Sequence, residues 1–473
     1  MGMSLYNYVR CELTRGHGLK DGQGLFSEKQ RRVTRFMKTP RELEKLMLFG
    51  FLIMLDAFLF VFTWLPLRAL LSLTVYTARL LCCCRQRVLD CGQKIDILRV
   101  TLIVLCTVAL GYVDTSALYH LIKGQSVIKL YVFFNMMEIF DRLLASIGQD
   151  TLDTLFGIVA DNRKGKFEYL EALFYFVVAT VYVFLHTTLI LVQATTLNVA
   201  INSHSTVLLT IMMSNNFVEL KGCVFKKFET NNLFQMSCSD IRERFHYVIM
   251  LGVVCVSNLS QFNWDLAYLK SVLPVVVMVM VLEVVVDSIK HAFITKFNDI
   301  SPDVYKKYRT LLAMDLVTSR QDNAKTDHTD LVSRRMGFIP LPLACLLWNT
   351  LYQTFTFPGR NGAILLVVLY LCLLAGKVLL GITLLGKSCH YRSSPPPPRS
   401  HSSNDLIGQS SSHMTTQGSF IPPTQSSISD IGPLGQKSSE QVLGKKTVHL
   451  CSKCQPKPLA QVERFTLCSN RII

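Results

Sequence analysis

The residues of this chain that could do chemistry are acidic side chains inside apolar stretches. Asp56 lies in the first apolar run, and Glu283 and Asp287 lie four residues apart in VLEVVVD at 281–287, on one face of a helix. A carboxylate at membrane depth is energetically costly and often marks a path for protons or ions. These three residues are therefore candidate functional charges of a transporter or a channel.

The same charges also have a structural interpretation, which we favour for Glu283. Asp287 and Lys290 would mark the exit of a helix into the membrane interface, and Glu283 would pair with a basic residue of a neighbouring helix. Lys377 is long enough to reach the headgroups from a span. Asp56 is not, so we expect its partner to come from a different helix.

Composition decides the class of protein. Of the 473 residues, 50% are hydrophobic and only 17% are charged, whereas a typical soluble domain has about 25% charged residues. Several windows reach the roughly 18 apolar residues that cross a hydrocarbon core. The net charge of +16 comes from basic residues between and beside these windows, which indicates membrane topology signals and no nucleic-acid partner. A simple water-soluble domain is excluded.

The apolar windows predict an all-α, polytopic transmembrane helical bundle of about six to eight spans. They cover 46–84, 97–113, 170–192, 197–213, 247–259, 266–286, 338–351 and 363–385. The first window is too long for one span, so it predicts a kinked hairpin or a span plus an interfacial helix. Segment 131–156 mixes charges with apolar residues at helical spacing, which is typical of an interfacial or re-entrant helix.

Three regions follow from these patterns. A basic N-terminal region covers 1–45, a multi-pass membrane domain covers 46–385, and a tail rich in Ser and Pro covers 386–473. Polar loops are expected near 114–168, 214–245 and 290–335. The tail has too few apolar residues to offset the entropy of ordering, which predicts disorder. Basic clusters beside the windows place both the N-terminal region and the tail in the cytoplasm.

Cysteines and short motifs add little catalytic signal. Cysteines next to membrane segments are candidates for S-acylation, namely Cys82, Cys83, Cys84 and Cys389. A Cys-x-x-Cys pair in the tail with a nearby histidine has zinc-like spacing but not the surroundings of a folded finger. The sequence has no His-Glu-x-x-His, no phosphate loop and no Gly-x-Ser-x-Gly. We therefore predict a protein that is not an enzyme and uses no cofactor or metal.

Four longer motifs carry a family resemblance. They read TPRELEKL at 39–46, FFNMMEIFDRLLASIGQD at 133–150, SNNFVELKGCVFKKF at 214–228 and DIRERF at 240–245. Together with shorter stretches they make the chain similar to the transmembrane anterior posterior transformation protein family from about Tyr6 to Leu385.

The resemblance implies a multi-pass protein of the endoplasmic reticulum, which in animals is also placed at the ciliary basal body and the centrosome. Animal relatives are associated with primary cilium formation and axial skeletal patterning. Fungal relatives resemble a subunit that works with a SUN-domain-like membrane protein to protect newly made soluble proteins. The resemblance implies no enzyme activity and no cofactor. The expected partners are the lipid bilayer and membrane or cytoplasmic proteins.

Two of the motifs offer a candidate partner surface. Glu138, Asp141 and Arg142 share one stretch of helix, where Glu138 and Arg142 form an i, i+4 pair. Glu219 and Lys221 lie in the second motif. An interfacial helix that simply packs on the bundle would explain the first group equally well, and both interpretations stay open at this stage.

The charge pattern generates a test of topology. We expect epitopes at the N-terminus and after residue 473 to be stained by antibodies in cells whose plasma membrane alone has been permeabilised. A luminal epitope on a secretory protein is the control, because it must stay protected until all membranes are opened. Protection of either terminus would contradict the cytoplasmic assignment.

Overall fold

The computed structural model describes residues 5–14, 22–81, 90–160, 166–202, 220–224, 226–321, 328–355 and 359–393. Most of these residues are helical, and the described part of the chain contains no strand. The helices are α1 Leu5–Thr14, α2 Gly22–Phe62, α3 Trp64–Leu81, α4 Cys91–Leu110, α5 Thr115–Lys123, α6 Val127–Ala160, α7 Lys166–Asn202, α8 Thr230–Gln261, α9 Leu266–Phe297, α10 Asp303–Gln321, α11 His328–Arg335, α12 Pro340–Thr354 and α13 Gly359–Ser393. The predicted all-α polytopic bundle is confirmed.

Helices long and apolar enough to cross a membrane are fewer than the windows suggested. By length and composition, the described residues contain four: Phe26–Ala78, Tyr169–Asn202, Leu266–Phe297 and Ile364–Arg392. The bent pair α4 and α5, which meet at 61°, makes a fifth if it counts as one broken span. The bend lies where Asp114 caps α5 by accepting hydrogen bonds from the backbone of Ser116 and Ala117.

The first apolar window does not fold back as a hairpin. α2 and α3 are separated only by Thr63, and together they form one candidate span of 53 residues. Pro66 is tolerated because it lies in the first turn of α3, where a backbone N–H has no partner within the helix. At 1.5 Å per residue, α2 alone is roughly 60 Å long and extends well beyond a hydrocarbon core of about 30 Å.

The charged segment 131–156 is part of one unbroken helix, so its re-entrant interpretation is wrong. α6 and α7 make the most extensive helix pair of the described residues. Asp141 contacts His186, and Gly148 contacts Tyr182 four residues earlier on α7. The two helices therefore run antiparallel. The exposed face of α6 is apolar, through Val132, Met136, Ile139, Leu143 and Ile147.

Two expectations based on loops also need correction. The predicted polar loop 290–335 consists of the end of α9 followed by α10 and α11, and it contributes buried side chains such as Tyr305 and Leu312. Some of its polar residues, such as Lys290, His291 and Asp330, are paired inside the bundle, so polarity does not indicate a loop here. The weak window 197–213 begins inside α7, which continues to Asn202, and residues 203–213 lie outside the described residues.

The core has two apolar clusters that meet at α12. One cluster is built mainly by α2, α7, α8, α9 and α10, and the other by α4, α6 and α7. Leu343 and Leu346 belong to the first cluster, whereas Leu341 and Cys345 belong to the second. α12 thus presents opposite faces to both clusters, and most of its residues are buried.

The membrane body ends later than the sequence suggested. α13 continues to Ser393, past the predicted start of the tail at 386. Tyr391 packs edge-on against Phe49 of α2, with ring centroids 5.4 Å apart, and Ser388 is buried. The end of α13 therefore lies beside the central part of α2. Residues 394–473 lie outside the described residues, and the cytoplasmic placement stays a prediction.

The α6–α7 contact generates a stability prediction. A methyl group at Gly148 would overlap the ring of Tyr182, so Gly148→Ala forces that ring to move and should lower the free energy of unfolding by about 1–3 kcal/mol. Gly157→Ala is the matched control on the same helix, because nothing lies within 4 Å of a methyl group there. The measurement is thermal unfolding of both detergent-purified variants. Equal melting temperatures would contradict the close packing.

Candidate functional site: a paired polar interior

The segment 240–246 of α8 distributes polar side chains to two sides of the helix. At about 100° per residue, Asp240 and Arg244 point one way, and Arg242 and His246 point nearly the opposite way. The first face meets α2 and α9, and the second meets α6 and α7. Two buried polar clusters result, which we call the ionic cluster and the histidine cluster.

The ionic cluster comprises Glu44, Asp240, Arg244, Asp287, Lys290 and His291. Arg244 is its centre, because it joins three helices. Its Nη1 and Nη2 donate to both carboxylate oxygens of Glu44 at 3.0 and 2.9 Å, and its Nε donates to Asp287 at 2.8 Å. A planar guanidinium that forks onto a carboxylate fixes direction as well as distance.

Asp240 holds the other half of the ionic cluster. It accepts hydrogen bonds from Lys290 Nζ at 2.9 Å and from His291 Nε2 at 2.7 Å. Lys290 also lies 3.1 Å from Asp287. Because a carboxylate can only accept, the Nε2 of His291 carries a proton, and in the neutral ring its Nδ1 accepts from Tyr305. Each charged group thus faces an opposite charge, and all of them except Glu44, whose side chain is 39% exposed, are shielded from solvent.

The histidine cluster comprises Asp141, Tyr182, His186 and His246. His186 Nε2 donates to Asp141 at 2.9 Å, and Tyr182 lies 2.9 Å from His186 Nδ1. His246 Nδ1 lies 3.8 Å from the second oxygen of the same carboxylate. All four side chains are buried. The Tyr–His–Asp order repeats that of Tyr305, His291 and Asp240 in the ionic cluster.

Asp56 takes its partner from a different helix, as expected. Lys377 of α13 lies 2.6 Å from Asp56 Oδ2 and donates to the backbone carbonyl of the same residue at 2.8 Å. Both side chains are buried. Lys377 therefore points into the bundle and does not reach the headgroups.

The helix exit proposed for α9 is also corrected. Asp287 and Lys290 are each 2% exposed, so these charges are enclosed by protein and do not lie in an open interface. Glu283 is buried one turn earlier on the same helix, within electrostatic range of Asp287, Lys290 and Arg244.

A third pairing fixes α11. Asp330 lies 3.0 Å from Arg99 of α4 and 3.2 Å from Arg334, which also pairs with Asp153 of α6. Burial by itself would raise the pKa of Asp330, but the two guanidinium groups outweigh burial and hold the pKa below its ordinary value. The carboxylate therefore stabilises the fold at neutral pH, and this stabilisation is lost only as the pH falls through the lowered pKa.

A small cavity opens beside the histidine cluster. Its volume is about 380 Å³ including the space at its mouth, and Asp141, Arg142, Arg242, Glu243 and His246 are among the residues that line it. Asp56, Glu283 and Asp287 are not among its lining residues. No group of three or more His, Cys, Asp or Glu in the described ranges is arranged to hold a metal ion.

The residues predicted to form a partner surface differ in their exposure to solvent. Asp141 is buried, whereas Arg142 is half-exposed at the mouth of the cavity and pairs with Glu138 at 2.7 Å and Glu243 at 3.3 Å. Lys221 is exposed. The remaining predicted residues have different positions: Cys389 is exposed, and Glu219, Cys82, Cys83 and Cys84 lie outside the described residues.

Comparison with known proteins settles the family. The model of a eukaryotic membrane protein family matches residues 89–393. The chain is 45% identical to the mouse (Mus musculus) transmembrane anterior posterior transformation protein 1, over 99% of this chain and 88% of the mouse protein. This chain belongs to the transmembrane anterior posterior transformation protein family. The frog (Xenopus laevis) homologue is 46% identical over 99% of the chain and 91% of its own length.

The family extends beyond vertebrates. The fruit-fly (Drosophila melanogaster) Protein TAPT1 homolog is 42% identical over 82% of this chain and 58% of the fly protein. No solved structure matches the chain significantly. In the structure described above, the DIRERF motif supplies Asp240 and Arg244 of the ionic cluster. The FFNMMEIFDRLLASIGQD motif supplies Asp141 of the histidine cluster.

Several residues of these clusters were not predicted as site residues, although the sequence held a signal. Asp240 and Arg244 are an i, i+4 pair of opposite charges in the DIRERF motif, which favours a polar helical face. His186 and His246 lie 60 residues apart, and nothing in their local sequence brings them to Asp141. Only the packing of α6, α7 and α8 does so.

The Asp56–Lys377 pair generates a double-mutant prediction. Asp56→Asn leaves the buried ammonium group without its counterion and should destabilise the protein by about 3–5 kcal/mol. Combining it with Lys377→Met removes both charges and should recover most of that loss. Thermal unfolding of the two single variants and the double variant measures the coupling. Additive effects would show that the pair does not form.

Proposed function

We propose that this protein is a non-enzymatic scaffold or partner-binding subunit of the endoplasmic reticulum membrane that is required for primary cilium formation and axial skeletal patterning. Membership of the family supports the developmental role, since the name printed for the vertebrate relatives describes anterior posterior transformation. The implied places are the endoplasmic reticulum, the ciliary basal body and the centrosome. The resemblance to fungal relatives adds a SUN-domain-like membrane protein as the proposed partner.

The observation that carries the scaffold role is the pairing of the intramembrane charges. Asp56 is matched by Lys377, and Asp287 is matched by Arg244 and Lys290, all in the protein interior. A conduction path needs charges that face a water-filled cavity. Groups locked by two or three charge-assisted bonds instead stabilise a fixed arrangement of helices. This geometry favours a rigid support over a transporter.

A rigid scaffold also agrees with the way in which α2 and α9 stay packed together beyond their apolar windows. α2 and α9 stay paired beyond the ionic cluster through Thr39 and Thr295, whose hydroxyl oxygens are 3.1 Å apart, and through Phe36 and Phe293, whose ring centroids are 5.2 Å apart. α10 packs against the same end of α2 and against α13. This layer of helices presents a stable surface to partners on the side that we assign to the cytoplasm.

Glu283 is the residue at which the scaffold and transporter functions make different predictions. In a scaffold, Glu283→Gln keeps volume and hydrogen bonding and should preserve stability and rescue of ciliation, whereas Glu283→Ala should lower the free energy of unfolding by about 1–3 kcal/mol. Neither variant can titrate, so a proton relay would be lost in both.

The measurements are thermal unfolding in detergent and rescue of ciliation in cells that lack the protein. Val281→Ala is the matched control, because Val281 lies on the same helix but is 54% exposed. A Gln variant that is stable yet fails to restore cilia would argue against the scaffold. Failure of the unmodified chain to restore cilia would argue against the ciliary role itself.

A further inference from the structure

The N-terminal half of α2 carries an apolar stripe that precedes the apolar window of this helix. Phe26, Val33 and Met37 are 69%, 63% and 72% exposed. Their spacing of seven and four residues places them on one face of the helix. The apolar window of α2 begins near Leu46, so at 1.5 Å per residue Met37 lies about 14 Å before it and Phe26 about 30 Å before it. These side chains therefore face water and not lipid.

Four exposed cations accompany this stripe. At about 100° per residue, Lys29 and Arg41 border it on opposite sides, and Arg31 and Lys38 lie further round the helix on the side of Arg41. Lys29, Arg31 and Arg41 form no ion pair with a described residue, whereas Lys38 lies within electrostatic range of Asp303 and the neighbouring Arg35 lies 3.8 Å from Asp299. We define the α2 outer stripe as Phe26, Val33 and Met37 together with Lys29, Arg31, Lys38 and Arg41.

The opposite face of the same segment packs along α9. Besides the contacts of Phe36 and Thr39, the ammonium group of Lys296 lies 5.8 Å from the ring centroid of Phe36. α2 is also continuous with a span, and α9 is itself a candidate span that runs antiparallel to it. A segment held in this way cannot lie flat on its own bilayer, as an interfacial amphipathic helix must.

We propose that the α2 outer stripe binds an acidic amphipathic helix of a partner protein. The stripe is about 22 Å long from Phe26 to Arg41, which matches about four helical turns. A partner helix would place apolar side chains on the three apolar residues, at the spacing used in helix-in-groove recognition. Glu and Asp on its flanks would meet the four cations and set both orientation and association rate.

Charge excludes two other occupants. A second copy of the chain would bring the same four cations face to face, and like charges across an interface are unfavourable. The chain's own tail is basic: residues 394–473 contain the acidic Asp405, Asp430, Glu440 and Glu463 against eight Lys and Arg, namely Arg399, Lys437, Lys445, Lys446, Lys453, Lys457, Arg464 and Arg471. The acidic segment must therefore come from another protein.

A binding experiment on the full chain in phosphatidylcholine nanodiscs tests this inference. The probe is a synthetic 18-residue helix with leucines on one face and glutamates on its flanks, and its twin with lysines in place of glutamates is the ligand control. We expect the acidic probe to bind, the basic twin not to bind, and the affinity to fall as salt is raised. Binding of both peptides alike would overturn the charge argument.

Matched variants locate the site. Arg41→Glu and Met37→Asp should each weaken the acidic probe by about tenfold or more, because they remove one flanking and one central contact. Lys307→Glu and Met314→Asp make the same changes at exposed positions of α10 and should change the affinity less than twofold. Equal effects of the two pairs would overturn the assignment.

Photo-crosslinking from position 33 in cells identifies the natural occupant. A crosslinked peptide that is an acidic helix, and that disappears with Arg41→Glu, supports the inference. A lipid adduct, a second copy of this chain, a non-acidic segment or no adduct overturns it.

The inference rests on the proposed scaffold role only because a scaffold needs a partner surface. The nanodisc assay needs no cilia, so its failure and a failure of ciliary rescue are separate results.

Discussion

Arg244 carries the interaction on which the arrangement of the bundle depends. It holds Glu44 of α2 and Asp287 of α9 from a single position on α8, in a region where an unpaired charge would be costly. The geometry of one guanidinium therefore sets the positions of three helices relative to one another. Asp240, one turn earlier, adds Lys290 and His291 to the same junction.

α8 also connects this junction to the other half of the protein. Its opposite face brings His246 towards Asp141 and Arg242 to the carbonyl of Gly337, 3.3 Å away at the entrance to α12. Buried polar networks of this kind specify one packing arrangement, because any shift leaves several groups without partners. The charges that looked like a possible ion pathway in the sequence fit this role of fixing the helices.

The sequence was sufficient for the fold class but not for the number and bounds of the helices. Apolar windows show where lipid contact is possible, and α9 and α13 follow them closely. They fail where charged and apolar residues share a helix. α6 carries Asp141 on its buried face, so its charges do not indicate the membrane interface. The polar sequence of α10 and α11 predicts a loop for the same reason, because sequence alone does not show which charges are buried and paired. Asp56 needed a partner on another helix by the physics of a short side chain, but only packing identifies Lys377.

The short helix α12 has a consequence for how the molecule is assembled. Its 15 residues cover only about 22 Å, less than the thickness of the hydrocarbon core, and it begins with Pro340 between two buried apolar clusters. A helix that is too short to span, and whose residues 340–346 are all buried against other helices, cannot enter the bilayer alone as a stable element. It must pack against α2, α4, α7 and α8, which precede it in the chain and are therefore synthesised first. α12 thus completes the interior after those four helices have been synthesised, and a chain that ended before it would hold an open cleft where α12 belongs.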